Sequence, residues 1–139
     1  MKNLFLTFIT VAIIGCGTDQ GEGNFYNYSI KNESGKDITI NSYRTIYPIR
    51  EIPLIIQLAN GENLTKTYQD ALPPSGYDFG VFFEGDSIII NFNNEKKQVF
   101  TFITNNNNRN PFSYAGITET FIFTTQDYEN AEDCNGNCN

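Results

Sequence analysis

The sequence predicts an all-β domain: an antiparallel β-sandwich or small barrel of about seven to eight strands with a short C-terminal helix. Aromatic residues make up 14% of the chain, with twelve Phe, eight Tyr and no Trp. Branched and aromatic side chains pack well on a pleated surface. Short apolar runs that alternate with polar residues fill most of the chain after residue 24. Asn and Gly, which suit turns, separate these runs.

The first strands are predicted before residue 59. Alternation over 25–31 and 38–41, with a turn at 32–35 between them, predicts a hairpin. Two prolines exclude 43–52 from a central strand, so we expect a loop or an edge segment there. The apolar run 54–58 predicts a buried strand.

The remaining strands follow in series. Asn60-Gly61 and Asn93-Asn94 predict hairpin turns, because these residues accept positive φ. A proline pair breaks the chain at 73–76, and 105–110 is a polar loop. We expect the strands at 64–68, 77–83, 87–92, 98–103 and 117–123. Thr124, with Asp127 three residues later, resembles a capping box and predicts a helix over 126–131, the only helix expected after residue 24.

The N-terminus has the layout of a secretory signal peptide. Lys2 precedes an apolar run over 4–14, which gives way to a glycine-rich polar stretch. A helix of that length rises roughly 16 Å, too short for a hydrocarbon core of about 30 Å. The organisation predicted is a signal peptide at 1–15, a flexible tether at 16–24 and a single β-domain at 25–139.

Ile13-Ile14-Gly15-Cys16 resembles the lipobox of bacterial lipoproteins. The resemblance implies transfer of a diacylglyceryl group to the Cys16 sulfur and cleavage between Gly15 and Cys16. Two or more acyl chains anchor a protein stably, whereas one is marginal. The membrane is therefore the first expected partner, reached through lipid on Cys16.

The three cysteines of the chain fit this interpretation. An odd cysteine in an exported protein needs an explanation, and lipid on Cys16 supplies one. Cys134 and Cys138 then remain as a pair for a disulfide in an oxidising compartment. The spacing differs from the Cys-x-x-Cys of redox motifs, and two thiolates lack the further ligands of a structural zinc. No metal site and no cofactor are expected.

The part after residue 24 is similar to small uncharacterised lipoproteins of Bacteroidota. The similarity lies in three stretches, at residues 30–38, 85–92 and 125–131. It implies an envelope location and no particular activity. Gly17 after the cysteine, in place of the Asp of the retention signal, favours the outer membrane by resemblance. Whether the domain faces the periplasm or the cell surface is left open.

Charge and composition exclude several classes of function. The formal net charge of −7 makes nucleic acid an unsuitable partner, since binding there neutralises phosphates with Lys and Arg. The chain has no His, which removes Ser-His-Asp and Cys-His systems and most catalytic zinc sites. Carboxylate pairs such as Glu84 and Asp86 could serve a glycan hydrolase, but on a tight turn both are expected to be solvated.

Tyrosines in or beside predicted loops are the candidate binding residues: Tyr43, Tyr47, Tyr77 and Tyr114. They could stack against a sugar, or they could simply close the ends of a sandwich. The leading hypothesis is a non-catalytic envelope lipoprotein that binds a protein or glycan. The alternatives are a carboxylate-dependent glycan hydrolase and an inhibitor that inserts the loop at 105–111 into an enzyme.

Overall fold

The computed structural model describes residues 23–70, 76–102, 109–136 and 138. Its strands are β1 (Phe25–Glu33), β2 (Ile38–Arg44), β3 (Arg50–Leu58), β4 (Asn63–Gln69), β5 (Ser87–Phe92), β6 (Lys96–Thr101), β7 (Thr118–Thr124) and β8 (Glu132–Asp133). The helices are α1 (Phe79–Phe83) and α2 (Thr125–Asn130), with a 3-10 turn at Pro111–Ser113. The all-β class is confirmed. The predicted signal peptide and most of the predicted tether lie outside the described residues.

The strands form two separate sheets, so the fold is the sandwich and not the barrel. The three-stranded sheet has the order β4-β1-β7 and the five-stranded sheet the order β3-β2-β5-β6-β8. Phe100 of β6 and Phe121 of β7, on different sheets, pack with ring centroids 6.2 Å apart. All strand pairs are antiparallel except β1–β7, which is parallel. The long connection after β6 allows β7 to start at the same end of the sandwich as β1.

Alternation along the strands supplies the core. In β1 every second residue is buried, and the first four residues of β5 repeat the pattern. The largest fully buried side chains are Tyr28, Phe79, Phe82, Phe83, Phe92, Phe121, Phe123, Ile30, Ile38, Ile40, Ile88 and Ile90. The core is therefore made of Ile and Phe from both sheets together with three Phe of α1.

The strand predicted at 77–83 is wrong, because Phe79–Phe83 is helix α1. Its three buried Phe residues, at positions 79, 82 and 83, have the i, i+3, i+4 spacing of one helix face. The Asp78 side chain caps the helix by accepting a bond from Gly80 N at 2.7 Å. α2 begins after Thr124 with both bonds of the predicted capping box, so that helix and its cap are confirmed.

The hairpin predicted between the first two strands is also wrong, since β1 and β2 lie in different sheets. Fully buried Asn32 holds the crossing. Its Nδ2 donates to the Lys36 and Leu58 carbonyls at 2.8 and 3.0 Å, and its Oδ1 accepts from Ser34 Oγ at 2.7 Å. These hydrogen bonds hold the connection between β1 and β2 in place where the chain passes from the three-stranded to the five-stranded sheet.

Asn60-Gly61 turns the chain, but the strands it joins, β3 and β4, also belong to different sheets. Gly61 has φ +87° and its N–H donates to the Asn32 carbonyl at 2.7 Å. The connection from β1 to β2 and the connection from β3 to β4 are thus hydrogen-bonded to each other. In contrast, the hairpin predicted at Asn93-Asn94 is confirmed: β5 pairs with β6, and both turn residues have positive φ.

The two ends of the sandwich differ. We call the end where β1, β3, β5 and β7 begin the entry end, and the opposite end the far end. α1 packs at the entry end, where Ser42 Oγ donates to the Phe83 carbonyl at 2.7 Å. At the far end Glu95 accepts bonds from Lys36 Nζ at 2.9 Å and Tyr128 Oη at 2.7 Å. Hydrogen bonds from Lys36, Tyr128 and Asn93 lower the pKa of Glu95 to about 2.

Candidate functional site

The hairpin formed by β2 and β3 carries the most exposed apolar side chains of the described residues. Its tip, which we define as residues 45–49, lies beyond the entry end. Tyr47 is 91% exposed, Ile49 67% and Ile46 55%, and Ile52 just inside β3 is 82% exposed. The prediction of a loop or edge segment at 43–52 is confirmed for 45–52, because the tip is a loop and β3 is the edge strand of its sheet. It is wrong for Tyr43 and Arg44, which end the central strand β2.

Asp86 holds the base of the tip. Its Oδ1 accepts bonds from Thr45 N at 2.9 Å and Thr45 Oγ1 at 2.8 Å, and its Oδ2 accepts from Ile46 N at 2.8 Å. Burial of the carboxyl opposes ionisation, but the bonds from Thr45 and Ile46 outweigh it, so the pKa of Asp86 lies below its usual value. The backbone before Tyr47 is therefore fixed against the start of β5.

The turn before Asp86 also approaches the hairpin closely. A Cβ at Gly85 would collide with the Tyr43 carbonyl and with Ser42 Oγ. Asp86 N donates to the same Tyr43 carbonyl at 3.0 Å. Glycine is therefore required between Glu84 and Asp86 for the carboxylate to reach the tip.

Two arginines flank the tip, one at the end of β2 and one at the start of β3. Arg44 Nη2 donates to the Glu84 carbonyl and Arg50 Nη2 to the Ser42 carbonyl, both at 3.1 Å. The Glu84 carboxylate lies 3.9 Å from Arg50 and 3.8 Å from Lys66. The apolar tip thus projects from a base in which two arginines lie beside the carboxylates of Glu84 and Asp86.

A shallow groove of about 360 Å³ runs between the tip and α1 and contains the carboxylates of Asp78, Glu84 and Asp86. Asp78 is engaged in capping α1 and Asp86 in binding the tip. A glycosidase requires one acid with a raised pKa. The pKa of Asp86 is lowered, and the Glu84 side chain is 54% exposed. Asp78 and Asp86 thus hold α1 and the tip in place on the two sides of the groove.

β3 is an edge strand with an unusual composition. It pairs with β2 on one side, and within 23–70, 76–102, 109–136 and 138 no strand pairs with its other side. Residues 52–59 contain no charge. Ile55 is 58% exposed and points, with exposed Gln57, to the outer face of the sheet. Uncharged edges of this kind are templates for pairing with another chain.

The four candidate tyrosines are not brought together. Tyr47 is the exposed one, and Tyr43 is half-buried beside it in β2. Tyr77 stacks on Tyr68 at 5.5 Å, and its hydroxyl donates to the Gln69 carbonyl. Tyr114 packs edge-on against Phe79 and Phe121. Tyr77 and Tyr114 thus pack at the margin of the core, so the structure offers no four-tyrosine sugar platform.

The other predicted features fall in different places. Cys134 and Cys138 are buried and their sulfurs lie at disulfide distance, with Cα atoms 4.8 Å apart. Gly15 and Cys16 lie outside the described residues, as do residues 105–108 of the loop proposed for an inhibitor. Asn110, which is described, is 1% exposed and caps the 3-10 turn, and Pro111 is buried with it.

Sequence reasoning did not single out the aliphatic residues of the tip. The available signal was the uncharged stretch Thr-Ile-Tyr-Pro-Ile between two arginines, inside a segment predicted to be exposed. Among the described residues no cluster of His, Cys, Asp or Glu could hold a metal ion. Nor does that part of the chain contain a helix long and apolar enough to cross a membrane.

Comparison of the chain with protein-family models, with curated protein sequences and with solved structures gave no match.

Proposed function

We propose that this chain is the precursor of a cell-envelope lipoprotein, cleaved between Gly15 and Cys16 and anchored through lipid on Cys16. Its β-sandwich acts as a non-catalytic module that binds an extended segment of a partner protein along the free edge of β3. The observation that carries the binding proposal is the uncharged run 52–59 on an edge strand left unpaired among the described residues.

The anchor is supported by the lipobox and by where the domain begins. The Asn24 carbonyl accepts a bond from Asp70 N at 2.9 Å, and a Cβ at Gly23 would overlap the Asp70 carbonyl. Residues 23 and 24 are therefore part of the folded domain. Seven residue steps separate Gly23 from Cys16, which span at most about 25 Å. A lipidated Cys16 would keep the domain within that distance of the membrane.

The edge of β3 is suited to accept another strand. In an antiparallel edge strand, alternate residues direct their N–H and C=O groups outward. The half of β3 next to the tip carries residues that oppose pairing with another strand: the charged Arg50 and Glu51, and Pro53. Residues 54–58 contain neither a charged residue nor a proline. Strand addition would use the free backbone groups there, and Ile55 and Gln57 would contact alternate residues of the partner.

A non-catalytic role is supported by the chemistry of the groove. The chain has no His to act as a base near neutral pH. The groove carboxylates of Asp78 and Asp86 are each committed to backbone N–H groups. Binding through a strand edge needs neither a histidine base nor a free carboxylate in the groove.

The anchor is tested by mass spectrometry of the protein isolated from its native cells. We expect Cys16 to be the first residue and to carry an acyl mass. A Cys16→Ser variant should keep residues 1–15 and lose the acyl mass. Wild-type protein that retains residues 1–15, or lacks the acyl mass, would refute the anchor.

The edge is tested by placing a photo-crosslinking amino acid at position 57 and, as a control, at position 89. Ile89 lies on the outer face of β5, which pairs with β2 on one side and with β6 on the other along its length. We expect a protein adduct from position 57 in intact cells and none from 89. Adding Ile55→Lys should reduce the adduct about tenfold, equivalent to about 1.4 kcal/mol, because it places a charge beside the new strand. Equal adducts from both positions would contradict edge binding.

A further inference from the structure

We infer that the entry end of the sandwich rests on the bilayer that holds the lipid, with Ile46, Tyr47 and Ile49 of the hairpin tip in the interfacial layer. This inference rests on the proposed lipid anchor. It adds a second membrane contact and fixes the orientation of the domain.

Exposed apolar side chains are concentrated at one end of the molecule. At the entry end they come from four separate segments: Phe25, Ile46, Tyr47, Ile49, Ile52, Phe102 and Ile117. The other large exposed apolar residues of the described chain are Ile55 and Val99, on the outer face of the five-stranded sheet. The far end, in contrast, presents the polar cluster around Glu95.

The chain enters at this same end. β1 starts there, directly after Gly23 and Asn24. A nine-residue strand such as β1 is about 30 Å long. Since the link from Cys16 to Gly23 spans at most about 25 Å, it cannot pass along the whole sandwich. A lipid on Cys16 therefore holds the entry end within about 25 Å of the membrane, whereas no such link holds the far end there.

The tip has the chemistry of an interfacial segment. Residues 45–49 are uncharged, and Tyr47 combines an apolar ring with a polar hydroxyl, which suits the headgroup layer. Arg44 and Arg50 at its base would lie at the level of the lipid phosphates. Four of these apolar residues project from the hairpin and three from other segments, and Ile46 and Tyr47 line the shallow groove beside α1. A fluid, planar surface accommodates such side chains better than a shaped protein partner does.

The absence of Trp from the chain makes a direct test available. Lipidated Tyr47→Trp protein is reconstituted in phosphatidylcholine–phosphatidylglycerol vesicles, with or without bromine on the acyl chains. We expect bromolipid to quench at least about half of the emission of the introduced tryptophan, as for a side chain buried about 5–10 Å into the boundary. Gln126→Trp in α2, exposed at the far end, is the matched control and should not be quenched.

Two further variants in the Tyr47→Trp background separate the tip from the anchor. Ile46→Ser with Ile49→Ser should abolish most of the quenching, whereas Ile55→Ser on the outer face should leave it unchanged. The acyl mass on Cys16 is measured in the same preparation, so failure of the anchor is detected separately. Lipidated Tyr47→Trp protein whose tryptophan emission is not quenched overturns the inference. Emission that is blue-shifted yet insensitive to bromolipid also overturns it, in favour of a protein partner or a second copy on the tip.

Discussion

Replacing Asp86 with Asn should loosen the hairpin tip while leaving the sandwich folded. The carboxylate accepts bonds from Thr45 N, Thr45 Oγ1 and Ile46 N at 2.9, 2.8 and 2.8 Å. An amide keeps one oxygen and turns an NH₂ group toward donors, so one or two of these bonds are lost. At about 1 kcal/mol each, the free energy of unfolding should fall by about 1–2 kcal/mol, which lowers Tm by about 4–8 °C.

The same substitution should change the pH dependence of stability. The folded pKa of Asp86 lies below its ordinary value of 3.8. Its contribution is therefore complete above about pH 4 and is lost as the pH falls through the folded pKa. Thermal melting of wild type and Asp86→Asn should show a difference in Tm at pH 7 that shrinks below pH 4.

Hydrogen exchange locates the effect. The amide protons of Thr45 and Ile46 should exchange faster in Asp86→Asn, while those of β5 and β6 change little. Glu51→Gln, an exposed carboxylate on the same hairpin, is the control and should alter neither. Unchanged exchange at Thr45 and Ile46 would refute the role given to Asp86.

Two other carboxylates give separate predictions. Asp127 is 3% exposed and accepts bonds from Arg109 Nε and Nη2 and from Thr124 N and Oγ1 at 2.6–2.9 Å. Asp127→Ala should lower the free energy of unfolding in urea by about 3 kcal/mol. Adding Arg109→Gln should lower it little further, since both residues belong to one hydrogen-bond network. Fully additive losses in the double variant would contradict this. For Glu95, whose pKa falls from 4.5 to about 2, the stabilisation is complete above pH 4.5 and is lost between pH 4.5 and 2. The Tm difference between wild type and Glu95→Gln should shrink over that range, and a constant difference would refute the assignment.

Local patterns in the sequence were sufficient for several elements. Alternation located β1 and the start of β2, because the pleat places every second residue on one face. The turn at Asn93-Asn94 and the capping box of Thr124 and Asp127 were also readable, since each depends on residues at most three positions apart. The Arg109 guanidinium that binds Asp127, 18 residues away, was not readable in this way.

The candidate site shows the same division. The sequence placed 43–52 in a loop or edge segment and Tyr47 among four tyrosines in or beside predicted loops. It did not reveal that Asp86, 41 residues after Thr45, fixes the tip. Nor did it show that Tyr77 and Tyr114 pack at the margin of the core, since that depends on α1 and β7 meeting β1.

By itself, then, the sequence determined the all-β class, the positions of most strands and the cap of α2. Only the tertiary structure decided which strands pair. The turns after β1 and β3 look like hairpin turns, yet both cross between sheets, because buried Asn32 binds the Lys36 and Leu58 carbonyls. The tertiary structure also decided that Phe79–Phe83 is a helix, since the three buried Phe side chains of this segment pack into the core. These outcomes depend on which apolar faces are buried together, and residues far apart in the chain settle that.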